Sequence, residues 1–388
     1  MNERPVIISC DGHATGRPED YVPYIEPAYR DQYDEFVRAL VAGRAARAQA
    51  TEEDRSLFSK EGSDAFQAET GDARDGEWNS SLRTKVLESE GVIAEVLFPN
   101  AGVPFGGFGE SARHDLRGAG NRAYNRWLVD FAADAPGRRA ALAMLTVHDL
   151  DATVAEVEWA REQGMRGVII PTVPGEGLPP YYDPIYDRLW AACQGQELPV
   201  HVHGGSGTPE YGDYGAASML IYATETVYFA HRPLWFLIWG GVLERFPRMH
   251  LVFTESRADW VPSTLTYLDG IYAQRFFSHI RETVKLKPSE YWTRQCHVAA
   301  SFMGPDESAL RHEIGLSQLM WGADYPHLEG TWPRTRKSLA RCFRGVPLDE
   351  ARAILTDNPA ALYGFDVAAL QPVADRVCPT PEELTGVA

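Results

Sequence analysis

Pro5-Val-Ile-Ile-Ser-Cys10-Asp11-Gly12-His13 opens the chain with an apolar run that ends in a carboxylate and an imidazole two residues apart. In an extended strand, residues i and i+2 face the same way, so Asp11 and His13 converge on one point as the strand ends. That is half of a metal site. Candidates for the other half recur downstream at His201-Val-His203, Glu255 and Asp324-Tyr-Pro-His327, each near the C-terminal end of a short apolar run.

Working outward, such runs form a series. Strand-like segments at Val6–Cys10, Val92–Phe98, Ala140–Thr146, Gly167–Pro171, Val200–His203, His250–Thr254, His297–Phe302 and Gln318–Gly322 make eight. Helical stretches lie between them, among them Ala152–Gln163, Pro184–Cys193, Pro233–Phe246, Glu307–Ile314 and Arg334–Phe343. Parallel strands need helical crossovers, and strands buried on both faces read as short continuous apolar runs. The alternation predicts an α/β protein built as a (β/α)8 TIM barrel. An open doubly wound sheet is the alternative, and no Gly-x-Gly-x-x-Gly follows the first strand to support its dinucleotide-binding version.

A barrel core takes about 250 residues, leaving about 140 of this chain for insertions and tails. Residues 1–388 read as a single metal-dependent barrel domain with helical insertions near the N-terminus and in the loops at the mouth. A charged cap-like segment spans 15–83, a glycine-rich aromatic loop spans Gly204–Met219, and a third excursion spans Phe277–Thr293. A closing helix at Leu348–Phe365 and a loosely ordered Pro-rich tail complete residues 348–388.

Composition narrows the partners. A net charge of −17 argues against nucleic acid and anionic membranes. No run of 18 uncharged apolar residues is present and the N-terminus carries no secretory pattern, so a cytoplasmic enzyme is expected. The five cysteines are scattered and include no Cys-x-x-Cys, as expected of reduced thiols.

Catalytic residues of barrels sit where strands end and βα loops begin. Asp11, His13, His201, His203, Glu255, Asp324 and His327 all fall there, and strand 8 neighbours strand 1 in a closed barrel. Three carboxylates and four imidazoles around one mouth need a cation to reconcile them. Bland readings stand beside each: Asp11 capping a turn, His201 a core histidine one layer deeper, Glu255 pairing with Arg257, and His327 binding a substrate carboxylate. His114, His148, His250, His279, His297 and His312 lack a same-face partner and read as core or surface residues. Arg17, Tyr325, Trp332, Arg334 and the aromatics of 204–219 are candidates for substrate contact.

Asp-x-His at strand 1, Pro199-Val-His-Val-His203-Gly-Gly at strand 5 and Trp321-Gly-Ala-Asp324-Tyr-Pro-His327-Leu-Glu-Gly-Thr-Trp-Pro333 at strand 8 resemble the amidohydrolase-related (amidohydrolase 2) family of metal-dependent hydrolases. Aminocarboxymuconate-semialdehyde decarboxylase and resorcylate-type decarboxylases belong to that branch. The resemblance covers roughly residues 5–365. It implies metal ligation by Asp11, His13, His203 and Asp324, and related barrels are often dimers, which allows a homodimer. It also exposes a departure, because similar decarboxylases carry a histidine at the end of strand 6 where this chain reads Leu251-Val-Phe-Thr-Glu255.

A carboxylate can bridge two hard cations. His231, in Phe229-Ala-His231-Arg-Pro, opens the helix after the strand-5 loop on this reading and offers the imidazole that strand 6 lacks. Asp11, His13, His201, His203, His231, Glu255, Asp324 and His327 then suffice for two ions, with Glu255, His231 and His327 as acid/base candidates. Two iron ions activating O2 to hydroxylate a fairly apolar small molecule is the reading favoured by Glu255 and an aromatic mouth (Tyr211, Tyr214, Tyr222, Tyr228, Phe229, Trp235, Trp332). The alternative is a mononuclear zinc or manganese enzyme performing hydrolysis, hydration or non-oxidative decarboxylation of a small carboxylate. A metal-binding protein without activity is the third.

Overall fold

The apolar runs pair in sequence order. In the computed structural model, which describes residues 3–49, 60–106, 113–209, 211–212 and 214–386, β1 (Ile8–His13), β2 (Ala94–Phe98), β3 (Arg139–Met144), β4 (Gly167–Ile169), β5 (Val200–His203), β6 (Leu251–Thr254), β7 (Cys296–Ser301) and β8 (Leu319–Gly322) form one parallel sheet in the order β1 to β8. Their side chains are buried along almost their whole length, as the continuous apolar runs require.

Polar contacts past the strand ends close the barrel. A parallel bridge joins Gly12 to Tyr325, the His13 N–H donates to the Tyr325 carbonyl at 2.7 Å, and the Asp324 N–H donates to the Asp11 carbonyl at 2.9 Å. Gly322 permits this approach, since a Cβ there would lie 2.6 Å from the Asp11 Cβ. Closure and site therefore share residues.

The eight expected strands match the observed ones to within a few residues, and the helices differ more. The helix expected at Pro233–Phe246 runs from Ala216 to Trp239, so Pro233 and His231 lie inside it rather than at its start. Proline is a better start signal than interior residue, which misplaced that boundary. Residues 216–219 consequently belong to this helix and not to the mouth loop. The closing helix is segmented into Leu348–Arg352, a π-helical turn Ala353–Asp357 and Asn358–Tyr363. The tail is ordered, with helices Val367–Val377 and Pro381–Thr385. Within the expected cap the chain forms helices Arg30–Gln49 and Lys60–Thr70. Residues 50–59 of that cap, Glu210 and Asp213 of the mouth loop, and 387–388 of the tail lie outside the described residues. All five cysteines are buried and free. No helix among the described residues is long and apolar enough to cross a membrane.

One buried ion pair braces the first strand. Arg83, from the helix Ser80–Glu90, is fully buried; its Nε and Nη2 each donate to Glu95 of β2 at 2.7 Å, and its Nη1 donates to the His13 carbonyl at 2.7 Å. Removing one partner of such a pair leaves an uncompensated buried charge at a cost of about 3–5 kcal/mol. Arg139 stands 3.5 Å from Glu95 and supplies part of the compensation. Arg83→Met is therefore expected to destabilise the protein by about 3 kcal/mol in chemical denaturation. A loss under about 0.5 kcal/mol, the size of an ordinary surface change, would contradict the bracing role.

Candidate metal centre

Six side chains from four strand ends meet at the mouth. Asp11 and His13 come from β1, His203 from β5, Glu255 directly follows β6, and Asp324 and His327 follow β8. His13 Nε2 lies 3.5 Å from Asp11 Oδ1, 3.5 Å from Glu255 Oε2 and 3.2 Å from Asp324 Oδ1. His203 Nε2 lies 3.3 Å from Asp11 Oδ1 and 3.2 Å from Glu255 Oε2, and His327 Nδ1 lies 2.8 Å from Asp324 Oδ1. Two overlapping sets have metal-holding geometry: Asp11, His13, His203 and Glu255, and His13, Glu255, Asp324 and His327.

The outer hydrogen bonds fix where these rings point their lone pairs. His13 Nδ1 faces the Pro99 carbonyl at 2.8 Å and His203 Nδ1 faces the Gly204 carbonyl at 2.8 Å. A carbonyl only accepts, so each Nδ1 carries the proton and each Nε2 turns toward the carboxylates. Among the described residues, His13 Nε2, Glu255 Oε2, both Asp324 oxygens and His327 Nδ1 are buried without a hydrogen-bond partner. Such orphaned atoms are costly alone. A divalent cation satisfies them together, so the residues fit the metal that the donor set implies.

The backbone is arranged for this convergence. Glu255 and Asp324 both occupy the left-handed region, with φ of 49° and 59°; strain of this kind costs of order 1–3 kcal/mol per residue and collects at functional sites. Ser301, at the end of β7, accepts from the Glu255 N–H at 3.2 Å and donates to Asp11 Oδ2. Gly204 leaves room for β6, because a Cβ there would sit 2.5 Å from the Glu255 carbonyl oxygen. Ser301 was missed in the sequence, although the strand-end rule that selected Asp11 points to it equally.

The titration behaviour follows the geometry. Burial disfavours a charged His13, but Asp324, Glu255 and Asp11 outweigh it and hold its pKa well above the usual value. His203 is raised too, burial being outweighed by Glu255 and Asp11. Burial pushes the Glu255 carboxyl up, against the pull of His203. For Asp324, burial is overcome by the neighbouring imidazoles of His13 and His327, which bring it down to about 2.

Two expected ligands stand outside the cluster. His201 lies deeper, with Nδ1 at 2.9 Å from the Val168 carbonyl and Nε2 at 2.9 Å from the Tyr363 hydroxyl, so both nitrogens are engaged; burial lowers its pKa to about 4. It pins the closing helix to the barrel. His231 is stacked on Trp260 at 3.9 Å and donates Nε2–H to the Ser256 carbonyl at 2.9 Å, with burial lowering it to about 4. It braces the loop that carries Glu255, and it is not among the residues lining the cavity.

A cavity of about 850 Å³ opens over the centre. Its walls include His13, Asn100, Met144, Ile169, His203, Glu255 and His327, with Tyr211 and Tyr222 from the expected aromatic mouth. The other substrate-contact candidates are engaged elsewhere. Arg17 pairs with Asp20, Arg334 with Glu69, and Tyr325 and Trp332 are buried against each other. Tyr214 and Tyr228 are exposed, Phe229 lies beside Arg232, and Trp235 lines a separate groove with Trp239.

Comparisons with known proteins agree with this fold. The sequence profile of the amidohydrolase family matches residues 101–365, more than half of the chain. An amidohydrolase from Mycobacterium avium subsp. paratuberculosis superposes with a TM-score of 0.70 at 18% identity over 94% of this chain and 100% of that one. The 5-carboxyvanillate decarboxylase of Sphingomonas paucimobilis gives 0.64 at 19% identity, covering 93% and 99%. The 4-oxalomesaconate hydratase of Rhodopseudomonas palustris gives 0.59 at 15% identity, covering 94% and 98%. No curated protein matches the sequence. One of these neighbours is named as an amidohydrolase, one for decarboxylation and one for hydration, and the expected di-iron oxygenase finds no support among them.

Metal uptake is predicted to release protons. A ring nitrogen whose pKa is raised holds its proton to higher pH than a free imidazole does, so over that range a cation must displace the protons on His13 and His203. Titrating the metal-free protein with Zn2+ or Mn2+ in weak buffer should acidify the solution, with apparent affinity falling as pH is lowered. A pH-independent affinity would contradict the ligand assignment.

Proposed function

The chain belongs to the amidohydrolase family and is a metal-dependent enzyme of that superfamily, and from this premise we propose non-oxidative chemistry, decarboxylation first, with hydration or hydrolysis as its variants, on a small carboxylic acid. The observation that carries the reading is the set of orphaned lone pairs on the cavity floor, with Glu255 part-exposed there. Asp11, His13, His203 and Asp324 would hold one divalent ion, zinc or manganese by donor type. Once bound, such an ion polarises a substrate oxygen or activates water.

The chain's own residues do the rest. Glu255, its carboxyl pushed up by burial, is placed to deliver or accept a proton at the floor of the cavity. His327 stands on the same wall, 4.0 Å from and stacked on His13, with Nδ1 at 2.8 Å from Asp324, where it completes the donor set. Met144 and Ile169 present apolar surface that shields the reacting carbon from water.

The shared membership of His13 and Glu255 in both ligand sets favours a second reading. There Glu255 would belong to the donor sets of both ions, and two irons would supply the chemistry for O2-dependent hydroxylation. Elemental analysis and oxygen dependence separate the readings. The non-oxidative reading expects turnover of hydroxylated aromatic or unsaturated carboxylic acids under strict anaerobiosis, with CO2 release or water addition. It also expects Glu255→Gln to lower kcat by about 10²–10⁴-fold. Two irons per chain with turnover that consumes O2 and reductant would overturn it.

A further inference from the structure

His327 differs from the other two imidazoles in what fixes its proton. His13 and His203 are held by backbone carbonyls, which no substitution removes. His327 instead turns Nε2 toward a side chain, Asn100 Oδ1 at 3.2 Å, and keeps Nδ1 for Asp324 at 2.8 Å.

The orientation of that amide is decided by two groups of opposite character. The Ala101 N–H donates to Asn100 Oδ1 at 2.7 Å, and Asn100 Nδ2 donates to Glu77 Oε1 at 2.6 Å. A backbone N–H can only donate, and a carboxylate accepts. Turning the amide over would set N–H against N–H at Ala101 and oxygen against oxygen at Glu77. Asn100 is anchored further by its own N–H, which donates to Thr15 Oγ1 at 2.9 Å, while the Thr15 N–H donates to the Glu77 carbonyl at 3.1 Å. Burial pushes the Glu77 carboxyl up, and the bond from Asn100 opposes that shift.

We propose that Glu77 and Asn100 are positioning residues that set the tautomer of His327: with Oδ1 locked as an acceptor, Nε2 carries the proton and the Nδ1 lone pair is presented beside Asp324. The pair also separates two spaces, because Asn100 lines the 850 Å³ cavity and Glu77 lines a neighbouring one of about 330 Å³ with Thr15, Arg17 and Trp78. Glu77 belongs to the turn before the helix Ser80–Glu90, so the segment ahead of β2 reaches the outward nitrogen of His327 through a single amide.

The tautomer does not depend on the proposed reaction but on the metal-holding reading, which a wild type that takes up no Zn2+ would overturn by itself. Ring-nitrogen NMR of 15N-histidine-labelled, zinc-loaded protein at mildly alkaline pH should show His327 protonated at Nε2 in the wild type. Asn100→Leu should remove that fixed state and weaken Zn2+ binding about 10–100-fold by competition titration, the range for loss of a residue supporting a ligand. Glu77→Leu should shift both readouts the same way, whereas Glu77→Gln, whose amide oxygen can still accept from Asn100, should restore them. His327 protonated at Nδ1 in the wild type would overturn the proposal. So would an unchanged His327 signal and unchanged Zn2+ affinity in both leucine variants. Should Asn100→Leu fail to fold, the Glu77→Leu and Glu77→Gln comparison decides alone.

Discussion

Everything at the mouth of this barrel follows from lone pairs facing one another. Three carboxylates and three imidazoles are brought within a few ångströms, and the outward nitrogens of the rings are already committed to carbonyl oxygens at Pro99, Gly204 and Asn100. What remains on the inside is acceptors. Such an arrangement is unfavourable in a low-dielectric interior unless positive charge enters it, as protons on His13 and His203 or as a metal ion. The centre is thus incomplete as a purely organic assembly.

The fold sustains that convergence where a less constrained chain would relax. The ladder between β1 and β8 is completed by backbone bonds of Asp11, His13, Asp324 and Tyr325, so separating the ligands would open the barrel. Ser301 ties Asp11 to the Glu255 backbone, and the Arg83–Glu95 pair holds the His13 carbonyl from beneath. The strained φ values at Glu255 and Asp324 are held in place by backbone bonds, from the Glu255 N–H to Ser301 and from the Asp324 N–H to the Asp11 carbonyl. Glu255 in place of the histidine of similar decarboxylases adds negative charge to a site already rich in it.

Legibility in the sequence tracked how local the determining physics was. Parallel strands buried on both faces announce themselves as apolar runs, so all eight strands and their order were readable. The i, i+2 pair at Asp11 and His13 and the strand-end positions of His203, Glu255, Asp324 and His327 were readable for the same reason. His201 shares its strand face with His203, and only the depth of the barrel and Tyr363, 162 residues away, distinguish a core imidazole from a ligand. His231 was misplaced because Pro233 suggested a helix start, whereas tertiary packing carries the helix through it. Asn100 and Glu77 gave no signal, since their role exists only once β2, the segment before it and the β8 loop have met.

Crystallographic anomalous scattering from protein grown with Mn2+ or Zn2+ tests the requirement for a cation most directly. A strong peak is expected within about 2.0–2.2 Å of Nε2 of His13 and His203 and of an Asp11 oxygen, the range for such ligands. Six side chains in the same positions with no anomalous peak, the rings instead hydrogen-bonded to the carboxylates as imidazolium ions in metal-saturated crystals, would contradict it.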